Sequence, residues 1–219
     1  MNEFTISSVD EFAERVRCTY DQLPVFRGQE DALWELRPKF GRLSAANSTN
    51  DADTERETLS DFKRRAPPYL ERNPANDWEW LALAQHHGLA TRLLDWSTNP
   101  LIAAYFAIRP RYKRNAAIYV LDSRGMASAD MQSSPFEIQQ DCIFHPPHVA
   151  RRIESQAGLF TAHADPAVLY APPTLQKWTI DNQVLPDLWV MLQIYGVRSS
   201  LVFPGLESIC QDIHQQWIR

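Results

Sequence analysis

Residues 80–107, WLALAQHHGLATRLLDWSTNPLIAAYFA, contain two long apolar runs with a compact polar segment between them. The first run has a helical pattern and ends at Gly88, where a glycine is typical of a helix C-terminus. The second begins after Asn99-Pro100, a turn that favours helix entry. A solvated loop does not need flanks this apolar. We therefore expect the polar segment between the runs to form a partly buried site.

Outward from this stretch, helix starts are predicted where a capping residue is followed three positions later by glutamate. These pairs are Ser8 with Glu11, Thr54 with Glu57, and Asn76 with Glu79. Towards the C-terminus, apolar periodicity predicts helices over 186–195 and 206–217. Residues 33–43 are expected to be extended, residues 45–53 to form a loop, and residues 123–141 to be irregular.

The clearest buried strand is AAIYVLD at 116–122, because it is apolar over nearly its whole length. Further strands are expected at 23–29, 158–163 and 178–180, and residues 91–98 are expected to form a strand or a tight turn. Helices, strands and a final helix in this order predict an α+β fold. We expect one domain over 1–219, with a mostly antiparallel sheet flanked by helices.

Composition excludes several classes of protein. The basic hexamer 109–114 is a possible nucleic-acid contact, but the net charge of −5 gives no overall attraction to nucleic acid and makes this the least favoured function. Apolar runs are all shorter than the roughly 18 residues that span a bilayer, and the N-terminus lacks a secretory pattern. Three widely spaced cysteines match neither a disulfide framework nor a zinc site, which favours a cytoplasmic protein.

Metal and phosphate-loop motifs are missing from the sequence. The seven glycines form neither GxGxxG nor a P-loop. His145-Pro-Pro-His148 is the closest approach to a metal-ligand spacing, and it is a weak match, so no metal is expected. His86 and His87 are adjacent and would point about 100° apart on a helix, so they cannot bind one metal together. One of them is expected to be a core or capping group.

Three polar stretches at the ends of apolar strand segments contain the candidate functional residues. They are Arg27-Gly28-Gln29, Thr91–Ser97 and Arg152–Gln156. If these strand ends converge, they form a ligand cleft with arginines for anionic groups. Two alternatives stay open: Asp95 is a structural ion-pair partner of Arg92 or Arg27, and residues 152–156 belong to a solvated edge strand.

Four motifs closely resemble the FRG domain, a family named for Phe-Arg-Gly. They are FRGQ at 26–29, LAQHHGLATRLLDWSTNPLIAAYFA at 83–107, RIESQAGLF at 152–160 and FPGLESICQDI at 203–213. The resemblance covers about residues 20–215, so the whole chain is expected to be one FRG-type domain. Ala90 and Glu207 depart from the proline and aspartate associated with those places. The family implies a bacterial or phage protein, sometimes in defence or toxin systems.

The order of these motifs is also similar to that of the ADP-ribosyltransferases. That resemblance implies that Arg27 binds the ribose-phosphate part of NAD and that Ser97-Thr98 supports the nicotinamide pocket. Glu154 or Gln156 would stand in the place of the glutamate that orients the ribose. A glutamine there cannot act as a base or stabilise a cation by charge.

Two functions therefore follow. The first is an NAD-dependent ADP-ribosyltransferase-like enzyme or NAD glycohydrolase, with Arg27, Glu154 and Gln156 at the catalytic centre and NAD as substrate. The second is a non-catalytic module that binds a nucleotide or a protein partner. The substrate-binding residues expected from the sequence are Gly28, Gln29, His87, Thr91, Arg92, Asp95, Ser97, Thr98 and Arg152.

Overall fold

Eight strands form one mixed sheet in the computed structural model, which describes residues 1–46, 52–108, 114–146 and 155–218. In chain order the strands are β1 (Asn2–Ile6), β2 (Pro24–Gln29), β3 (Leu93–Ser97), β4 (Ala116–Asp122), β5 (Ala127–Ser128), β6 (Cys142–Phe144), β7 (Gly158–Ala162) and β8 (Leu175–Ile180). Their order across the sheet is β1-β8-β4-β2-β3-β7-β6-β5. Among the described strands, only β1 with β8 and β5 with β6 pair in parallel. The α+β fold with a mostly antiparallel sheet is thereby confirmed.

Helices cover this sheet. They are α1 (Val9–Arg17), α2 (Lys39–Ala46), α3 (Ala52–Arg65), α4 (Asp77–His86), α5 (Pro100–Ala107), α6 (Leu185–Ile194), α7 (Ser199–Val202) and α8 (Leu206–Trp217). Two predicted caps are confirmed: Ser8 Oγ accepts from Glu11 N at 3.1 Å, and Asn76 Oδ1 accepts from Glu79 N at 3.0 Å. Each cap satisfies a backbone N–H that has no partner within the helix. Within the described residues no helix has the length and apolarity needed to cross a membrane.

The core is divided between the two halves of the sheet. On the β2 side, Phe26 and Trp178 pack with residues of α1, α5 and α6. On the β3 side, Trp78 of α4 packs with Phe144 and Phe160. A third cluster, which includes Val25, Leu94, Trp96 and Tyr119, lies between strands of both halves. Each half of the sheet therefore has its own helical cover.

Between these halves the sheet is held by few contacts. Strand β2 pairs with β4 over six residues and β3 with β7 over five, but β2 and β3 share a single pair, Phe26 with Ser97. The two strands therefore separate on either side of this pair. The resulting gap lies between the two halves of the sheet, each of which packs on its own core cluster. The candidate site lies in this gap.

Several sequence predictions were wrong in detail. Residues 33–43 are not extended throughout, because α2 starts at Lys39, after Pro38. This short helix is held by tertiary contacts: Phe40 is buried, and Phe40 N donates to Thr91 O at 3.2 Å. Thr54 does not cap a helix, since α3 already begins at Ala52. Strands β5 and β6 were missed because they have only two and three residues, and β1 was missed because it is a largely exposed edge strand.

Candidate functional site

A cleft of about 320 Å³ opens where β2 and β3 separate. Strand β2 contributes Phe26, Arg27 and Gly28, and β3 contributes every residue from Leu93 to Ser97. The other walls come from α2, α4, α5 and the segment that enters β7. Their lining residues are Lys39, Arg42, Gln85, His86, Gly88, Leu89, Ile102, Ala103, Phe106, Gln156, Gly158, Leu159 and Phe160.

Arg27 spans the gap between the two strands. Its Nη1 donates to the backbone oxygen of Asp95 at 2.8 Å and to Asp95 Oδ2 at 3.2 Å. The side chain is 17% exposed, and its Nε is buried and has no hydrogen-bond partner among the described residues. A buried donor without a partner costs about 1–3 kcal/mol. A ligand oxygen that reached this nitrogen would remove that cost.

Asp95 is held from both sides of the cleft. Besides Arg27, Gln85 Nε2 donates to Asp95 Oδ1 at 2.8 Å. The hydroxyl of Thr91 donates in turn to Gln85 Oε1, which fixes the orientation of that amide. Thr91 is fully buried and does not line the cleft, so it supports the site through Gln85. The carboxylate itself is 61% exposed and therefore accessible to a ligand.

Two further cations come from α2, the helix that the sequence did not predict. Lys39 Nζ donates to Gly88 O at 2.7 Å, and Arg42 Nη1 donates to Arg37 O at 2.6 Å. Burial lowers the pKa of Arg42, and the nearby positive charge of Arg27 lowers it further. The guanidinium groups of Arg27 and Arg42 therefore both contribute positive charge to the same cleft. The sequence shows a cluster of basic residues in 37–42. Only the position of α2 shows that Lys39 and Arg42 face the cleft.

An apolar wall faces these charges. Phe26, Leu94, Ile102, Phe106 and Phe160 all line the cleft. Most of them also belong to the core clusters, so the wall is fixed by packing. A cleft with one charged and one apolar wall is suited to a ligand that carries both an anionic group and a flat ring.

The floor near β7 is polar. Ser97 Oγ donates to the backbone oxygen of Gln156 at 2.7 Å, and Gln156 Nε2 donates to Val202 O at 3.0 Å. Both residues line the cleft, as the sequence predicted, but the Gln156 amide is already engaged. Thr98 is exposed and donates its backbone N–H to Ala157 O at 3.0 Å, outside the lining. Glu154 and Arg152 lie outside the described residues.

Arg92 lies elsewhere in the molecule. Its guanidinium is 2% exposed and forms an ion pair with the buried Glu55, with Nη2 and Oε2 2.8 Å apart. Nη1 donates to Pro135 O at 3.2 Å, and the guanidinium carbon lies 5.0 Å from the ring centre of Phe136. A side chain enclosed in this way cannot reach a phosphate in the cleft. This placement agrees with the structural alternative for Arg92, with Glu55 as its partner in place of Asp95.

The remaining predicted residues support the cleft from outside its lining. His87 is exposed and is the C-cap residue of α4, and Gly88 follows with a φ of 96°. Gln29 is buried at the end of β2, where no described residue forms a hydrogen bond with its Oε1. Within the described residues no group of three or more His, Cys, Asp or Glu side chains is placed to hold a metal. Of the basic hexamer, only Arg114 is described, and it pairs with Asp31 at 2.7 Å.

Comparison with known proteins gives one match. Residues 22–116 match the family model described as the FRG domain. The match includes the motifs at 26–29 and 83–107, and therefore every cleft residue from β2 to α5, but not the motifs at 152–160 and 203–213. No curated protein and no solved structure gives a significant match.

Proposed function

We propose that this chain, which contains an FRG domain, binds a phosphate-bearing nucleotide such as NAD in the cleft between β2 and β3. One observation carries the proposal: Arg27, Lys39 and Arg42 line a single cleft, and the buried Nε of Arg27 has no hydrogen-bond partner within the part of the chain that the structure describes. The chain as a whole is acidic, with a net charge of −5, so this is a local concentration of positive charge. Local cations in a partly enclosed cleft attract anionic ligands.

The ligand would lie across the two walls. Its phosphates would accept from Arg27, whose planar guanidinium suits bidentate contact with phosphate, and from Lys39 and Arg42. Its base or nicotinamide ring would pack on Phe26 and Phe106. Asp95 already occupies one side of Arg27 at 3.2 Å, so a phosphate must share this arginine with a carboxylate.

We expect Arg27→Met to weaken NAD and ADP-ribose binding by about 10- to 100-fold, because it removes a charge-assisted contact of about 1.5–3 kcal/mol. Arg42→Gln should weaken binding in the same direction without touching the contacts between β2 and β3. Isothermal titration calorimetry at two salt concentrations measures both, and binding should weaken as salt rises.

The matched control is Arg17→Met, which removes an arginine that is 77% exposed and lies on α1. This variant should bind NAD and ADP-ribose with the same affinity as the unmodified chain. Adenosine, which has no phosphate, should bind more weakly than ADP-ribose. Equal affinity for adenosine and ADP-ribose, or unchanged binding in both cleft variants, would refute the proposal.

A second candidate is cleavage of the glycosidic bond of NAD, and the accessible carboxylate of Asp95 favours it. In such a reaction water attacks ribose C1′, the bond to nicotinamide breaks with its electron pair on nitrogen, and a proton is released. The products are ADP-ribose and nicotinamide. The positive charge that develops on the ribose needs a nearby anion. Asp95 is the only acidic side chain among the described residues of the lining, and Glu154 is the alternative from the sequence.

Asp95→Asn should separate binding from catalysis. The variant keeps an oxygen for Gln85 and removes the charge that competes for Arg27, so we expect NAD affinity to be equal or several-fold higher. Nicotinamide release, followed by chromatography, should fall by at least about 100-fold, the scale of a lost electrostatic group. The double variant Glu154→Gln/Gln156→Ala tests the sequence-based assignment in parallel.

The outcomes distinguish the two functions. Nicotinamide release that is lost in one of these folded variants supports the enzyme and identifies its carboxylate. NAD binding without release from the unmodified chain supports a non-catalytic nucleotide-binding module. Release that persists in both variants would exclude these residues from the chemistry.

A further inference from the structure

Helix α8 is attached to the rest of the chain through its polar face. Asp212 accepts from the backbone N–H groups of Ser199 at 3.1 Å and Ser200 at 3.0 Å, at the start of α7. Ser199 Oγ donates to Gln211 at 2.9 Å, and Ser208 is 7% exposed. The side of α8 that faces the protein is therefore made of serine, glutamine and aspartate.

The apolar face of α8 points away from the protein. Leu206 is 82% exposed, Ile209 46%, Ile213 50% and Trp217 75%. Their spacing of three, four and four residues places them on one side of a helix. A helix on a protein surface normally buries this side. A continuous exposed apolar stripe is a feature of interaction surfaces.

The charges on α8 argue against a lipid surface as the partner. Between Leu206 and Trp217 the helix carries Glu207 and Asp212 but neither lysine nor arginine. Helices that lie on membranes are rich in these basic residues. A protein surface with its own apolar stripe is the better fit.

A second copy of the chain supplies such a surface. In an antiparallel pair of α8 helices, Leu206 of one copy lies beside Trp217 of the other, and Cys210 beside Ile213. Glu207 and His214 lie on the same flank of the helix, and in this register Glu207 of each copy comes within one turn of His214 of the other. The helix dipoles also oppose each other. The stripe is therefore complementary to itself under a two-fold axis, as a symmetric dimer requires.

We infer that the outward face of α8, formed by Leu206, Ile209, Ile213 and Trp217, is the interface through which two copies of this chain associate with antiparallel α8 helices. The inference is independent of what the cleft binds. It requires a reversible dimer whose stability depends on these four side chains.

Light scattering after size-exclusion chromatography tests the inference across a concentration series. The unmodified chain should have twice the mass of one chain at high concentration. Ile213→Asp should raise the dissociation constant by at least about 30-fold, the scale of an interface hot spot. Tyr69→Asp is the matched control, because Tyr69 is 88% exposed and lies outside this face. A chain that stays monomeric up to about 100 µM, or a dimer that Ile213→Asp does not weaken, would overturn the inference.

Crosslinking tests the orientation of the helices. Cys210 is exposed and lies near the expected two-fold axis, so a short bismaleimide should join two copies through it in a Cys18→Ser background. In a Cys18→Ser/Cys210→Ser background, Leu206→Cys should not crosslink, since its counterpart would lie about 16 Å away along the axis. Efficient crosslinking through position 206 would contradict the antiparallel arrangement.

Discussion

Arg92→Met should lower the free energy of unfolding by about 3–5 kcal/mol, because it leaves the carboxylate of Glu55 buried without its counter-charge. Glu55 Oε1 also accepts from the backbone N–H of Arg92 at 2.6 Å, so the pair fixes α3 against the start of β3. Both side chains are 2% exposed or less. Solvent cannot replace the lost partner, which is why the effect should be large. Urea denaturation at pH 7 measures it.

The variant should also show a characteristic dependence on pH. Burial raises the pKa of Glu55 above its ordinary value, more than Arg92 lowers it. Without Arg92 the folded-state pKa should be higher still. A carboxyl with a raised folded-state pKa binds its proton more tightly in the native state than in the unfolded state, so stability falls as pH rises from the unfolded pKa towards the folded one. The deficit of Arg92→Met should therefore be smaller at pH 5 than at pH 8.

Arg124→Met is the control for this experiment. Arg124 pairs with Asp122 at 2.6 Å, but its side chain is 54% exposed. An exposed pair contributes about 0–1 kcal/mol, so this variant should remain close to the unmodified chain. If Arg92→Met lowered the free energy of unfolding by as little as Arg124→Met, Glu55 would have to reach solvent or another partner. Folded Arg92→Met should bind NAD with normal affinity, in contrast to Arg27→Met.

Much of the fold could be predicted because its signals are local. The strand at 116–122 is apolar up to Leu121 and is buried from Ala116 to Leu121. The caps at Ser8 and Asn76 depend on residues three positions apart. The order of these elements was sufficient to predict an antiparallel α+β sheet. Strand pairing was not accessible, because the neighbours β3 and β7 are about 60 residues apart and nothing local specifies their register.

The candidate site was predictable in part for the same reason. Arg27, Asp95, Ser97 and Gln156 are polar residues within or next to apolar strand segments, and the structure brings all four to one cleft. The sequence did not show that Arg92, unlike these four residues, lies outside the cleft. It is adjacent to the same strand, and its partner Glu55 is 37 residues earlier. Whether an arginine faces a ligand or a buried carboxylate depends on tertiary contacts, which periodicity does not contain.

Gly28→Ala should destabilise the fold by about 3 kcal/mol, near the upper end for overpacking. A methyl group at this position would overlap the backbone oxygen of Ala103 and lie 2.6 Å from the backbone nitrogen of Ala107. These are backbone atoms of α5, so no side-chain rotation can relieve the collision. The helix must move away from β2 as a unit. Urea denaturation measures the loss.

The same displacement connects Gly28 to function, because α5 supplies Ile102, Ala103 and Phe106 to the cleft. Folded Gly28→Ala should therefore bind NAD more weakly, even though position 28 contributes no charge. Gly205→Ala is the matched control: a methyl group there meets nothing within 4 Å, and the backbone is extended. Gly205 is the N-cap residue of α8, where alanine is disfavoured, so this variant should lose no more than about 1 kcal/mol. Equal stability of the two variants would mean that α5 does not pack closely against β2 at Gly28. The apolar wall of the cleft would then lie farther from Arg27 than the structure places it.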